Sequence, residues 1–280
     1  MRQKYYFHQL RTPEMIDFLN RNEIPYKVSE ESSIVPTFLT FTLWSNQENT
    51  AAFLVELTAM SVSPLIFHEY TESDRKKAEY LWLWPQKQKM EIIGSEDAFR
   101  YECEYRSVIG KKCYGHELQI GPVTIRKEPS EKGKATFWTE DTGFSMLFAD
   151  QKIKTAAEAA DIKGIHFMDV KLKSGKNSER IVQLNSDNII PAEAIEKGHG
   201  ERVHKCPVCG REKYDINSGE YCLHIDISKI PQGVDFCKTE DIYGGYSPFP
   251  LYIVSQRFYR LLKNADLTAG AKFSPVVKKD

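Results

Sequence analysis

A chain of 280 residues can bury a substantial hydrophobic core, as one large domain or as two domains of ordinary size. Hydrophobic residues make up 41% of the chain and charged residues 28%, which are proportions typical of a globular protein in water. The formal charge of −1, with Lys and Arg spread among nearly equal numbers of Asp and Glu, argues against nucleic acid or an anionic membrane as the main partner.

The start of the chain, MRQKYYFHQLRTPEM, has neither the uninterrupted apolar stretch nor the small-residue cleavage site of a secretory signal. The six cysteines are too few for a small disulfide scaffold. These two observations predict a reducing, cytoplasmic location. Further along, Lys4–Leu10 is predicted to form a first strand, and Pro13–Asn22 a helix, because proline suits the first helical turn.

The longest apolar run is Thr50–Phe67, which a glutamate and a proline interrupt. Phe53, Leu57 and Met60 recur in it at helical spacing. Because a membrane span needs roughly 20 apolar residues, this pattern predicts a segment that faces the protein core.

Two strands are predicted in the middle of the chain. Tyr80–Pro85 (YLWLWP) is apolar on both faces, which is typical of a central strand or of a contact surface. Phe99–Arg106 alternates between aromatic or cysteine residues and charged residues, which predicts a half-buried antiparallel strand.

The most informative feature is a repeated pattern. Met146–Val170 (MLFADQKIKTAAEAADIKGIHFMDV) aligns with Leu251–Val276 (LYIVSQRFYRLLKNADLTAGAKFSPV) when Ala269 is treated as an insertion in the second copy. Phe167 then matches Phe273, and the apolar helix positions match as well. Each segment predicts a strand, an amphipathic helix and a second strand, and we interpret the pair as a duplication.

The helix boundaries of the two repeats carry the expected residues. Asp150 and Ser255 stand where an N-cap should lie, with side chains able to accept hydrogen bonds from the first helical turn. Gly164 and Gly270 stand just past the helices, where a left-handed cap or a tight turn favours glycine.

These patterns together predict an α+β fold. The charged, glycine-containing stretch within residues 127–145 suggests a boundary between two portions. We predict a strand-rich N-terminal portion over residues 1–130. A C-terminal portion over residues 131–280 would hold both strand–helix–strand units and a CPVCG insert.

A cysteine site is the sharpest chemical signal. In Cys206-Pro-Val-Cys209-Gly210, a turn can direct both thiolates at one point, and the glycine permits the close backbone approach of a zinc knuckle. Structural zinc takes four tetrahedral ligands. Cys222 and His224 are two residues apart, so on a strand they share a face and could complete the site.

Alternatives to this ligand set remain open. Cys237 could replace His224 as a ligand, and a degenerate site without metal would leave the cysteines as structural residues. A thioredoxin-like redox pair fits less well, because CPVC lacks the setting of a helix start after a strand. A closed structural site would leave zinc no open position for catalysis.

Catalytic motifs are missing from the sequence. It contains no GxGxxG, P-loop or GxSxG segment. His116–Ile120 begins like a zincin helix, but Ile120 stands where the second histidine ligand must be. We therefore predict a protein that is not an enzyme, while a catalytic site assembled from distant residues stays an alternative.

The C-terminal segment resembles the terminal signature of bacterial immunity-type proteins of polymorphic toxin systems. In that group a Ser-x-x-Phe helix is followed by Gly-x-x-Phe-x-Pro-Val, and the matching residues here are Ser255, Phe258, Gly270, Phe273, Pro275 and Val276. The upstream CPVCG segment resembles the double-CxxCG subset of the group. The resemblance covers roughly residues 200–280, and this chain has one complete CxxCG.

The resemblance implies an immunity or antitoxin-like protein that neutralises a cognate toxin by stoichiometric binding. Such binding usually depends on a few aromatic and charged anchor residues. Exposed members of two aromatic groups would suit this role: Tyr80, Trp82 and Trp84 in one, and Tyr243 and Tyr246 in the other. A zinc-ribbon interaction module that contacts nucleic acid is the alternative from another class.

Overall fold

A computed structural model of the protein describes residues 2–29, 37–86, 88–94, 97–101, 117–130, 134–141, 145–195, 202–208, 210, 212–214, 224–240 and 249–278. Contacts between Cα atoms divide the chain into a first unit built on Met1–Asp74 and a second built on Arg75–Asp215 and Leu223–Asp280. The boundary predicted at residue 130 lies inside the second unit, whose sheets combine strands from both sides of that position.

The first unit alternates strands and helices. Its elements are β1 (Arg2–Leu10), α1 (Pro13–Arg21), β2 (Tyr26–Val28), β3 (Phe38–Trp44), α2 (Thr50–Ala59) and β4 (Leu65–Glu69). The strands form sheet I in the order β2-β3-β1-β4, with antiparallel neighbours throughout. This β-α-β-β-α-β arrangement is the split β-α-β topology of ferredoxin-like folds.

One face of sheet I carries the core of the first unit. Phe7, Leu39, Phe41 and Leu43 recur at every second position of β1 and β3, and they pack against buried residues of both helices. Leu57 of α2 belongs to this core and is fully buried. The opposite face of sheet I, which we call the outer face, therefore lies away from α1 and α2.

The run Thr50–Phe67 divides between α2 and β4. Leu57 is buried, and Phe53 and Met60 pack against the same core, as their spacing predicts. In contrast, Val55 on the same helix is 72% exposed. Within the described residues, no helix has the length and apolar character needed to cross a membrane.

The boundary between the units falls within a short helix, α3 (Glu72–Lys77). The first half of the second unit contains β5 (Tyr80–Pro85), β6 (Gln88–Met90), β7 (Ile92–Ile93), β8 (Phe99–Tyr101), β9 (Glu117–Gln119), β10 (Thr124–Ile125), β11 (Phe137–Glu140), β12 (Leu147–Asp150), α4 (Gln151–Ala159) and β13 (His166–Leu172).

The second half contains β14 (Asn177–Asn185), β15 (Ile189–Ile190), β16 (Arg202–Lys205), β17 (Glu212–Tyr214), β18 (His224–Ile225), β19 (Phe236–Thr239), β20 (Tyr252–Ser255), α5 (Gln256–Asn264), β21 (Ala271–Pro275) and β22 (Val277–Lys278). Helices and mainly antiparallel sheets thus confirm the predicted α+β class. Of the predicted strand Phe99–Arg106, the part beyond Tyr101 lies outside the described residues.

The two large sheets of the second unit have the same arrangement of strands around their helices. Sheet II has the order β6-β11-β12-β14-β13-β10-β7, and sheet III has the order β15-β19-β20-β5-β21. In each sheet the strand before the helix and the strand after it flank one antiparallel central strand. The registers also agree: Leu184 lies between Leu147 and Phe167 in sheet II, and Leu83 lies between Tyr252 and Phe273 in sheet III.

The central strands are exchanged between the halves of the unit. β5 comes at the start of the first half but lies between β20 and β21, which belong to the second half. β14 comes at the start of the second half but lies between β12 and β13 of the first half. Each half therefore supplies the strand that completes the sheet of the other half.

Both predicted repeat segments form a strand, a helix and a strand. The predicted N-caps are confirmed, because Asp150 accepts a hydrogen bond from the Lys152 N–H at 3.0 Å and Ser255 accepts one from the Phe258 N–H at 3.1 Å. These features agree with a duplication, although common ancestry of the two segments stays a prediction.

The helix ends differ from the prediction in one respect. The left-handed positions directly after α4 and α5 are taken by Asp161 and Asp266, with φ near 52° and 55°. The N–H groups of the following residues bond back to the helix, as at the 2.9 Å contact from Ile162 to the Ala157 carbonyl, which completes a Schellman-type cap. Gly164 and Gly270 lie beyond these caps, and their φ values of 85° and 87° agree with the other predicted role, a tight turn that favours glycine.

Candidate functional site

The two ends of the CPVCG segment lie close together. Cys206 directly follows β16 and is only 1% exposed. The Gly210 N–H donates to the Cys206 carbonyl at 2.9 Å, and Gly210 has a φ of 73°, which favours glycine. A zinc knuckle in this turn would supply two of the four ligands of a structural site.

The remaining candidate ligands are only partly described. Cys209 and Cys222 lie outside the described residues, and His224 begins β18, which pairs in parallel with β22. Among the described residues, no three His, Cys, Asp or Glu side chains come together as a metal site. The four-ligand zinc site therefore stays a prediction.

Cys237, the predicted substitute ligand, lies within sheet III. It pairs with Ile253 across β19 and β20 and is 1% exposed. Burial raises the pKa of its thiol to about 12. In this setting Cys237 packs as a small hydrophobic residue of the sheet.

The two buried cysteines offer a test of the knuckle. We expect Cys206→Ser to abolish bound zinc and lower the melting temperature, because metal binding contributes to the free energy of folding. Cys237→Ser is the matched control, since it also places a hydroxyl in a buried cysteine position. The zinc content of both purified variants is measured by elemental analysis. Zinc retained by Cys206→Ser would contradict the knuckle. Zinc lost from Cys237→Ser would identify Cys237 as a ligand.

The aromatic residues of β5 share one face of sheet III but differ in exposure. Trp82 is 6% exposed, so it offers a partner little surface, while Tyr80 and Trp84 are half-buried. Trp84 contacts Trp82 and Phe249 edge to face, with ring centroids 5.2 and 5.7 Å apart. The exposed members of this predicted group are thus Tyr80 and Trp84, and Tyr243 and Tyr246 lie outside the described residues.

The outer face of sheet I combines aromatic and cationic side chains. The pairing of β1 with β3 and β4 brings them to one face: Arg2, Lys4, Tyr6 and His8 from β1, Phe38, Thr40, Thr42 and Trp44 from β3, and Phe67 from β4. These side chains are half-buried or exposed. Aromatic residues and arginine are the residue types most enriched among energetic anchors of protein interfaces.

The cations of the outer face lie on its aromatic rings. The Arg2 guanidinium stands 4.2 Å from the centroid of the Trp44 ring and also donates two hydrogen bonds to the Glu69 carboxylate, at 2.9 and 2.7 Å. The Lys4 ammonium lies 5.7 Å from the Trp44 ring and 6.0 Å from the Phe67 ring. These are cation–π distances, so the contacts restrain long side chains that would otherwise be mobile.

A groove adjoins the outer face at the edge of β3. Its volume is about 780 Å³, and its lining includes Tyr6, Thr42 and Trp44 of the outer face. β2 begins at Tyr26, opposite Phe41, and leaves the last residues of β3 without a partner on this side, since the preceding Pro25 lacks the N–H that a further ladder bond needs. Groove and outer face together form the candidate binding surface of the first unit.

Sequence reasoning did not find this surface. It identified β1 as a strand, and period-2 alternation could have shown that Arg2, Lys4 and Tyr6 share a face. What brings Trp44 beside Arg2 is the antiparallel register of β1 with β3, which joins residues about forty positions apart. That register depends on burial of the opposite face and is not visible in the β1 sequence alone.

A scan against models of known protein families finds no match to this chain, and a search of curated proteins finds no similar sequence. The geometry described above is therefore the basis for a functional proposal, together with the resemblance of the C-terminal segment.

Proposed function

We propose that this protein is a cytoplasmic immunity or antitoxin-like protein that neutralises a cognate bacterial toxin by stoichiometric binding. The observation that carries the proposal is the outer face of sheet I, where half-exposed aromatic rings and cations are already held in contact. Binding through such a surface requires no bound cofactor and no chemical step.

The residues that carry the family resemblance have structural roles. Ser255 caps α5, Phe258 is fully buried in the core of the second unit, and Phe273 is 5% exposed in the same core. Residues of this kind specify a scaffold rather than a partner. Recognition of one toxin would then depend on other surfaces, and the outer face of sheet I is available for it.

Growth rescue in bacteria tests the proposed function. We expect co-expression of this chain with the toxin encoded beside its gene to restore growth, and a 1:1 complex to form from the purified proteins. A copy with a stop codon early in its gene is the control, because it leaves the plasmid unchanged in other respects but produces no protein. Failure to rescue growth from the product of any neighbouring gene would contradict the proposal.

A zinc-ribbon interaction module is the second candidate, favoured by the turn at Cys206–Gly210. If that module contacted nucleic acid, binding would weaken steeply with added salt, because cations on the protein displace counterions from phosphates. A flat mobility-shift titration against DNA and RNA would remove this candidate without affecting the first.

A further inference from the structure

We infer that the outer face of sheet I is the docking surface for the neutralised protein, and that this partner presents carboxylates beside apolar side chains. The inference rests on the proposed function, because it names the surface and the partner chemistry that would serve it. It goes beyond the family resemblance, which covers roughly residues 200–280, whereas the outer face lies within residues 2–69.

The positive charges of the outer face determine which chemical groups a partner must present to it. On the outer face, Arg2 and Lys4 lie side by side over the rings of Trp44 and Phe67, and Glu69 at the edge is already bonded to Arg2. A carboxylate that approaches the Lys4 ammonium meets an unlike charge beside apolar ring surface. A partner that combines acidic and apolar groups therefore complements this face.

The outer face is also ordered before any partner arrives. Arg2 is held by both Trp44 and Glu69, and the ring of His8 stacks on the ring of Phe38 with centroids 4.5 Å apart. Fixing a long side chain on binding normally costs conformational entropy. Since these side chains are restrained already, less of the binding free energy is lost in ordering them.

Single-stranded nucleic acid is the competing occupant, because aromatic side chains on a four-stranded sheet can stack bases. The charge of the first unit argues against it. Residues 1–74 contain ten Asp or Glu and only five Lys or Arg, so the unit as a whole repels a chain of phosphates. A folded protein needs only a few carboxylates placed opposite Arg2 and Lys4, and a protein is therefore the favoured occupant.

The chain supplies a matched pair of variants for the test. Arg2 forms an exposed ion pair with Glu69 on the outer face, and Arg21 forms an exposed ion pair with Glu56 on the helical side of the same sheet. R2E and R21E therefore remove one surface ion pair each and make the same change in net charge. Only R2E alters the outer face.

The experiment uses the full chain in bacteria that produce the toxin encoded beside its gene. A photo-crosslinking p-benzoylphenylalanine replaces Tyr6 on the outer face, or Val55 on the exposed side of α2 as a control. The crosslinked protein is identified by mass spectrometry, purified, and titrated against the wild type, R2E and R21E. We expect a nuclease-resistant adduct from position 6, none from position 55, and a Kd that rises roughly 30-fold for R2E but stays unchanged for R21E.

Several outcomes would overturn the inference: no adduct from position 6, an adduct from position 55 alone, an adduct destroyed by nuclease, or equal affinities for R2E and R21E. The two proposals can also fail separately. Growth rescue with equal affinities for both variants would keep the immunity function and reject this surface. An adduct from position 6 with a protein that binds R2E more weakly than R21E, without growth rescue, would keep the surface and reject the immunity function.

Discussion

Replacing Gly164 with alanine is expected to lower the free energy of unfolding by about 2–5 kcal/mol, through a left-handed backbone conformation and a close contact. Gly164 has a φ of 85°. A Cβ atom there would lie 2.5 Å from the Phe236 carbonyl oxygen and 2.6 Å from a methyl carbon of Val234. Neither distance is tolerated, so the loop after α4 would have to move away from β19.

That movement would break contacts between the two halves of the second unit. The Lys163 carbonyl accepts hydrogen bonds from the N–H groups of Asp235 and Phe236, at 2.9 and 3.1 Å. Gly270 makes the corresponding approach in the other half, where a Cβ would lie 2.7 Å from the Phe137 carbonyl oxygen. We therefore expect Gly270→Ala to be destabilising for the same reason.

Gly175 provides the control for this prediction. Its φ of 82° is close to that of Gly164, but apart from its chain neighbours no atom of the described residues lies within 4 Å of the position that a Cβ would occupy. Gly175→Ala should therefore show the conformational cost alone, about 1–2 kcal/mol. Urea unfolding of the two variants measures the difference, and equal losses of stability would mean that the close contact at Gly164 does not exist.

Phe273→Ala is expected to lower the free energy of unfolding by about 3–5 kcal/mol, the range for removal of a buried aromatic ring. Phe273 is 5% exposed in the main core of the second unit. Its ring meets those of Phe137 and Tyr259, with centroid distances of 6.2 and 5.1 Å. The substitution would leave a cavity between sheet III, sheet II and α5.

Phe273→Leu is the control, because it keeps an apolar side chain and leaves a much smaller cavity. We expect it to lose less than half as much stability as the alanine variant in the same urea titration. A negligible loss for Phe273→Ala would contradict the placement of β21 in the core. A loss for the leucine variant equal to that for alanine would show that ring geometry, rather than volume, controls the packing here.

Local features were predictable because their causes lie within a few residues. The helix start at Pro13 and the N-caps at Asp150 and Ser255 follow from hydrogen bonds that span two or three positions. Gly164 and Gly270 have the positive φ expected of a turn after each helix, at 85° and 87°. Asp161 already provides the left-handed helix cap, and Gly164 is required by a strand more than seventy positions away.

The candidate sites were predictable only where one short segment carries them. The turn at Cys206–Gly210 is such a segment, since its hydrogen bond joins residues four apart, while the zinc site itself stays a prediction. Tyr80, Trp82 and Trp84 do share a face, as strand alternation requires, but burial of Trp82 depends on what covers sheet III. The outer face of sheet I needed the register of three strands.

The sequence by itself determined the α+β class, the helix starts and the strand–helix–strand pattern of the two predicted repeat segments. Only the tertiary structure decided that β5 and β14 exchange places between the two halves, and that Arg2 meets Trp44. The physical reason is the range of the interactions. Helix caps and alternation act over a few residues, whereas strand pairing is selected by burial of whole sheet faces and can join β5 to a strand about 170 positions further along the chain.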